Sequence, residues 1–303
     1  MFDTVRLRAR GIHIDPERLT NLYHNNQDNV TLRRNITGDG VVVTSYELHI
    51  DKQLPYIKYV AISGTLTIQV SISKFLHGDN ITMVTESDVS RFFELLQSKL
   101  FDLLGVLVEH EQWITERVDL CYNFEVESVS DCMKQIAMLR LPRRNTVTYN
   151  HNETVVFKNK SNTVKFYDKE KECSDKRASG IVRMEIEASY AELRKYSHPR
   201  RAVDLLTKRF FLNQMDYFLP QITEKLDGLN LENFSDEWLR SESIQNIERA
   251  IGFRMLQQRV DESTLINLYK SGTYRSRLVL VKSMTPLIKV NQFDLSIDDR
   301  KLG

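Results

Sequence analysis

The run Thr163-Val-Lys-Phe-Tyr-Asp-Lys-Glu-Lys-Glu172 sets a tyrosine between lysines in a stretch of strand-forming character. Side chains alternate faces along extended backbone, so Lys165, Tyr167 and Lys169 are expected on one side and Val164 and Phe166 on the other. A phenol flanked by two ammonium groups is a candidate nucleophile. The cations favour the phenolate and can also hold a phosphate against it. An amphipathic edge strand with a surface tyrosine would carry the same pattern.

Two other segments alternate in the same way. In Glu116-Arg-Val-Asp-Leu-Cys-Tyr-Asn-Phe124, Val118, Leu120 and Tyr122 share a face, leaving Arg117, Asp119 and Cys121 on the other. In Ile181-Val-Arg-Met-Glu-Ile-Glu187, Val182, Met184 and Ile186 share a face opposite Arg183, Glu185 and Glu187. Unpaired charge inside an apolar strand costs several kcal/mol. The three segments therefore predict a common polar face of one sheet that gathers a tyrosine, carboxylates and basic groups. Carboxylates so gathered are hard oxygen ligands suited to Mg²⁺ or Mn²⁺. A solvent-facing sheet whose charges pair across strands is the simpler alternative.

These strands need a frame. Residues 4–14 alternate and read as a first strand, 41–50 as a second after the Gly38-Asp39-Gly40 turn, and 59–72 as strand broken at Gly64. Helical spacing of Phe92, Leu95, Leu96, Leu100, Phe101 and Leu104 predicts a helix over 87–107, with caps in Thr85-Glu-Ser-Asp88. A strand over 117–126, a helix capped by Ser128 or Ser130, and strands near 146–149, 153–158, 163–168 and 181–189 follow. Beyond His198-Pro199 strand signals largely stop, and helices are expected over 200–218, 235–259 and 261–270. The expected division is a catalytic part, 1–198, and a helical accessory part, 199–303.

Composition describes an ordinary soluble globular chain of 303 residues, 41% hydrophobic and 27% charged, with a formal net charge of +1. The charge is uneven: Lys134–Arg183 carries 12 Lys and Arg against 5 Asp and Glu, an excess that suits a polyanionic partner. Cys121, Cys132 and Cys173 are odd in number and lack paired zinc spacing, which fits a reduced cytoplasm. The opening residues lack a signal-peptide core, and no run approaches the roughly 20 apolar residues of a membrane helix. A Gly-x-x-x-x-Gly-Lys loop and a Gly-x-Gly-x-x-Gly turn are both missing, which disfavours a generic nucleotide-binding enzyme.

The order of the motifs resembles the rolling-circle replication initiators of the filamentous-phage gene II type, related to plasmid initiators and to the HUH-like endonucleases. Arg117-Val-Asp119, Phe166-Tyr-Asp-Lys169 and Val182-Arg-Met-Glu185 carry the resemblance. Met1-Phe-Asp-Thr-Val-Arg-Leu-Arg8, Lys74-Phe-Leu-His-Gly-Asp-Asn80, Leu100–Gly105 and Thr146-Val-Thr-Tyr-Asn150 support it over most of residues 1–196. It implies an α+β fold with a central, mainly antiparallel sheet backed by helices and a helical C-terminal extension. It implies a metal-dependent single-strand DNA nickase and strand transferase acting at a replication origin in a bacterial cytoplasm, with host helicase and polymerase as partners. Tyr167 would form a 5′-phosphotyrosine, Lys169 and Lys165 would offset phosphate charge, and Asp119, Glu185, Glu187 and His77 are the candidate Mg²⁺ or Mn²⁺ ligands. Arg117, Arg143, Arg144 and Arg183 are candidate DNA contacts, as are Arg275 and Arg277 in the basic, aromatic run Tyr269–Arg277. The chain departs from the related His-hydrophobic-His pattern, holding His13-Ile-Asp15 and His49-Ile-Asp51 instead. Tyr149 is the rival nucleophile. A hydrolytic metal nuclease without a covalent intermediate, and a non-catalytic DNA-binding control protein, are the rival functions.

Overall fold

The computed structural model describes residues 1–188, 190–227, 232–233, 236–257, 259–283, 288–289 and 293–303. The alternating segments become strands of one sheet: β1 (Phe2–Ala9), β2 (Val30–Ile36), β3 (Val42–Leu48), β4 (Tyr56–Val60), β5 (Thr65–Ser71), β6 (Ile114–Glu125), β7 (Asn145–Tyr149), β8 (Thr154–Lys158), β9 (Asn162–Asp168) and β10 (Ile181–Ala188). Their order is β2-β3-β4-β5-β1-β6-β10-β9-β8-β7, and every neighbouring pair is antiparallel. The expected class, an antiparallel sheet backed by helices with a helical C-terminal region, is the one found.

Period-two alternation decides which face is covered. Val5, Leu7, Val118, Leu120, Val182, Met184, Ile186, Val164, Phe166 and Phe157 are all buried on one face. Helices α2 (Ile72–His77), α3 (Glu86–Leu104), α4 (Val129–Met138) and α8 (Lys208–Asp227) supply apolar side chains to the core. Phe211 of α8 meets the rings of Phe2 and Tyr122, each at 6.4 Å, and α4 packs on β8, β9 and β10. Each fully buried large apolar side chain contributes about 1.5–3 kcal/mol. Helix α3 starts at the expected cap: Thr85 and Asp88 form a reciprocal capping box.

Expectation and structure part in a few places. The first strand stops at Ala9, and Asp15-Pro16 opens an unforeseen helix, α1 (Pro16–Asn25), before the unforeseen β2. The helix expected over 200–218 is α7 (Ala202–Leu205) followed by α8, and that over 235–259 is α9 (Asp236–Ser241) and α10 (Ile244–Gln257). Residues 189, 235 and 258 of the expected elements lie outside the described residues. The run Tyr269–Arg277 spans the end of α11 (Glu262–Tyr269) and the start of α12 (Ser271–Lys282).

The chain divides into two compact units, Met1–Leu226 with Phe293–Gly303, and Asp227–Gln292. The expected boundary at 198 thus falls inside the first unit, because α8 contributes Phe210, Phe211 and Met215 to the buried core. Residues 293–303 also bind this unit. The Asp298 N–H donates to Tyr122 Oη at 2.8 Å, the Glu86 N–H donates to the Leu302 carbonyl at 3.0 Å, and Lys301 pairs with Glu125 at 2.7 Å. The second unit has its own apolar contacts, among them Phe253, Leu265 and Tyr274.

Gly64, between β4 and β5, has a left-handed φ of +56°, and a Cβ there would lie 2.7 Å from the Ile12 carbonyl oxygen. Both conditions demand glycine. Gly64→Ala is expected to lower unfolding free energy by about 1–3 kcal/mol, read from denaturant midpoints. An unchanged midpoint would show that the residue 10–13 segment yields freely.

Candidate active site

Strand register brings the polar residues together. Tyr167 of β9 lies opposite Arg183 of β10, and Arg183 lies opposite Asn123 of β6. Two residues along, Lys165 faces Glu185, which faces Cys121; beyond them, Glu187 faces Asp119. Side chains directly opposite in such a pair share a face, and diagonal neighbours remain within reach of an aromatic ring. The Tyr167 hydroxyl accordingly crosses to Glu185 and donates a hydrogen bond to its Oε1.

This pair is sheltered. Tyr167 is only 8% exposed. Burial raises the pKa of its phenol, and the Glu185 carboxylate beside it pushes the same way. Burial also raises the Glu185 carboxyl above its ordinary range, against the opposing hydrogen bond from Tyr167. The segment after α2 lies over the neighbouring Asn123 and Arg183. The Ile81 carbonyl accepts from Asn123 Nδ2 at 2.9 Å and from Arg183 Nη2 at 3.3 Å. Asp79 holds this segment by accepting the Ile81 and Thr82 N–H groups and by pairing with Arg177 at 3.2 Å.

Arg183 is buried, and its Nε donates to Asn123 Oδ1 at 2.7 Å. Its charge acts within the cluster and is not offered to solvent. Lys169 does not continue the strand. Asp168 caps α5 (Lys169–Cys173), so the alternation ends at Asp168 and Lys169 turns inward. Its Nζ is fully buried, 2.7 Å from Glu172 and 5.5 Å from the centre of the Tyr167 ring. Lys165 stays partly exposed and approaches Glu187 at 3.5 Å.

Arg117 grips Asp119 with two hydrogen bonds, 2.9 and 2.8 Å, and lies 3.6 Å from Glu187. Burial raises the Asp119 carboxyl even so, and Arg117 only partly offsets that cost. The donor chemistry here suits a hard divalent cation: Asp119 and Glu187 face each other and Glu185 is next along the same face. Arg117 holds the positive charge at these oxygens in the present arrangement. No three His, Cys, Asp or Glu among the described residues converge closely enough to form a cation site while it does so.

Other candidates lie elsewhere. His77, at the end of α2, is 3.8 Å from Asp88 in the α3 cap and joins none of the three carboxylates. His49 Nδ1 contacts the Pro55 carbonyl at 2.7 Å, and His13 is exposed. Arg144 is a structural clamp, donating to Phe157 and Asn162 carbonyls and lying over Phe218 at 5.1 Å, whereas Arg143 is exposed. Arg275 is exposed and Arg277 half-buried, both on α12 in the second unit. Tyr149 shares the row of Tyr167 through Thr154, yet it is 54% exposed on the edge strand. Asn123 and the 79–83 segment were not foreseen as parts of the site. Asn123 was readable, since it continues the Arg117, Asp119, Cys121 alternation.

No curated protein matches the chain. Among solved structures, a rolling circle replication initiator protein from Geobacillus stearothermophilus aligns over 66% of this chain and 78% of its own, with 12% identity and a TM-score of 0.34. That likeness is too slight to bear on the fold or the site. The family comparison is of a different order: residues 1–251 match the model of the Phage CRI family, the N-terminal part of a replication-associated protein. With most of its length matched, including every strand of the large sheet, the chain belongs to that family of replication-associated proteins.

Proposed function

We propose that the protein is a site-specific single-strand DNA endonuclease and strand transferase that initiates rolling-circle replication at the origin of a phage or plasmid-like element. The observation that carries this reading is the buried hydrogen bond from Tyr167 to Glu185, set among Asp119, Glu187, Arg117 and Lys165 on one face. A buried tyrosine hydroxyl aimed at a carboxylate is an arrangement for moving its proton. Family membership supplies the replication context.

In the reaction, Tyr167 Oη attacks the scissile phosphorus as Glu185 takes the phenol proton. The new bond joins Oη to phosphorus, the bond to the 3′-oxygen breaks, and that oxygen leaves to become a 3′-hydroxyl. The phosphodiester energy is kept in the 5′-phosphotyrosine, so a later 3′-hydroxyl can reverse the step and close the strand. Lys165 and Arg117 offset charge on the phosphate, and Lys169 and Arg183 stabilise the phenolate from beside the ring. Asp119 and Glu187, which face each other, would hold Mg²⁺ or Mn²⁺, whose chemistry is to polarise the phosphate and stabilise the leaving oxygen, and Glu185 is kept for the proton. Host helicase and polymerase are the partners this reaction requires.

Incubation with Mn²⁺ and end-labelled origin oligonucleotides should give a denaturation-resistant adduct that Tyr167→Phe abolishes and Tyr149→Phe spares. Cleavage without an adduct would favour simple hydrolysis, and neither cleavage nor adduct a purely DNA-binding role. Glu185→Gln should slow adduct formation by about 10²-fold or more. It should also change stability with pH. The folded state holds the Glu185 proton more tightly than the unfolded state, so this group's contribution is greatest below its ordinary pKa of 4.5 and falls as pH rises through the raised value. Glu185→Gln, which cannot ionise, should therefore gain on the wild type as pH rises through that window. A pH-independent difference in melting temperature would remove burial as the cause. Finally, Mn²⁺ should raise the melting temperature of the wild type more than that of Asp119→Asn, whatever the activity. Equal shifts would exclude Asp119 as a ligand.

A further inference from the structure

Where β10 leaves β6, the chain returns to take its place. The Thr115 N–H donates to the Arg200 carbonyl at 2.8 Å, the Ala202 N–H donates to the Trp113 carbonyl at 2.8 Å, and Ile114 bridges to Arg201. This junction and the end of β1 surround a cavity of about 330 Å³ whose wall includes Arg8, Arg10, Tyr190, Arg194, His198 and Arg200. Of these residues only Arg8 stood in a quoted motif, and none of them takes part in the chemistry described above.

The wall is rich in cations and poor in counter-charge. Arg8 pairs with Glu116 at 3.0 Å, but Glu116 is shared with Arg6 at 3.2 Å. Arg10 and Arg194 are exposed and have no carboxylate partner among the described residues. The Nε of Arg8 is buried without a hydrogen-bond partner among the described residues. Arg200 is buried, donates to the Thr115 carbonyl at 2.7 Å, and lies 3.8 Å from the centre of the Tyr190 ring. Burial lowers its pKa, and neighbouring Arg8 adds to the effect. Tyr190, though backed by this guanidinium, is still 55% exposed and has ring surface left for stacking.

We propose that this cavity is a second single-stranded DNA subsite, in which Arg8, Arg10 and Arg194 take a backbone phosphate and Tyr190, backed by Arg200, stacks a nucleobase. Cations that lack enough carboxylate partners favour an anion, and an aromatic ring beside them favours a base regardless of sequence. The position fits. Arg8 lies opposite Ile114 on β6, and Arg6 opposite Arg117, so this arginine row shares a face with Asp119. Five residues of strand separate Asp119 from Ile114, about 17 Å at the usual rise, a few nucleotides from the reacting phosphate. The inference rests on the reading of the chain as a single-strand DNA enzyme.

The test is fluorescence anisotropy of the full chain with a labelled origin oligonucleotide, titrated at several salt concentrations. Arg10→Gln with Arg194→Gln should weaken binding about tenfold and lower the salt slope by about 1–2. The double Lys variant should keep most of the affinity, and Tyr190→Ala should weaken binding with the salt slope unchanged. Melting temperatures report whether each variant is folded. A wild type that binds while the Gln pair keeps full affinity and salt slope overturns this subsite alone. A wild type that does not bind single strands at low salt overturns the enzymatic reading and the subsite together.

Discussion

A slip of β10 by one residue would turn Arg183, Glu185 and Glu187 into the apolar core and push Val182, Met184 and Ile186 out of it. That constraint holds the site in place. β10 is paired on both sides, by β6 and by β9, and each neighbour carries its own alternation. The apolar face of β10 fixes the register through burial against α4, and the polar face follows that register and adds its own cross-strand contacts. Tyr167 and Glu185 can then meet across a diagonal with no flexible loop between them. A reactive pair placed by sheet register is held more closely than one placed by a loop.

The polar face also shows how charge can be buried at tolerable cost. Asp119 and Glu185 are desolvated, and both carboxyls are raised despite their partners. Arg117, Lys165 and Arg183 supply the positive charge, each tied to a specific oxygen or to the ring system. Breaking one partner away from such a cluster would leave an uncompensated buried charge, the costly case. In the proposed reaction, a phosphate arriving at this face would meet donors already oriented toward negative oxygens. Under the proposed function, Arg117 and Lys165, which stabilise the carboxylates and stay partly exposed, would be available to the substrate, so binding would exchange partners and not create charge contacts from nothing.

Much of this was readable from the chain. Alternation in three segments named the polar face, the order of short motifs named the family, and the cap signals at Thr85 and at Ser128 or Ser130 named two helix starts, the second of which is capped by Ser128. Period two gives a residue's face and says nothing of what lies over it. Arg183 therefore looked like a surface cation, although the carbonyl of Ile81, 102 residues away, covers it. Lys169 looked like a strand residue because its lysine neighbours kept the rhythm; the Asp168 cap broke it. His77 sat in a suggestive segment, but the end of α2 places it 3.8 Å from Asp88 and apart from the three carboxylates. The arginine cavity had no local signature, since it collects residues 8–10 and 190–200 where one strand replaces another.

The chain leaves the sheet-bearing unit after Leu226 and comes back at Phe293, and the returning residues fasten to β6 through Tyr122 and to the start of α3 through Leu302. Residues 227–292 are thus an insertion tethered at both ends, not an appendage. A loop closed by the sheet itself has less freedom than a dangling extension, because both of its ends are already held by the core. Evolutionary exchange of this body for another would leave the final eleven residues in place. A truncation that removed it from the C-terminal side would take the fastening of β6 and α3 with it.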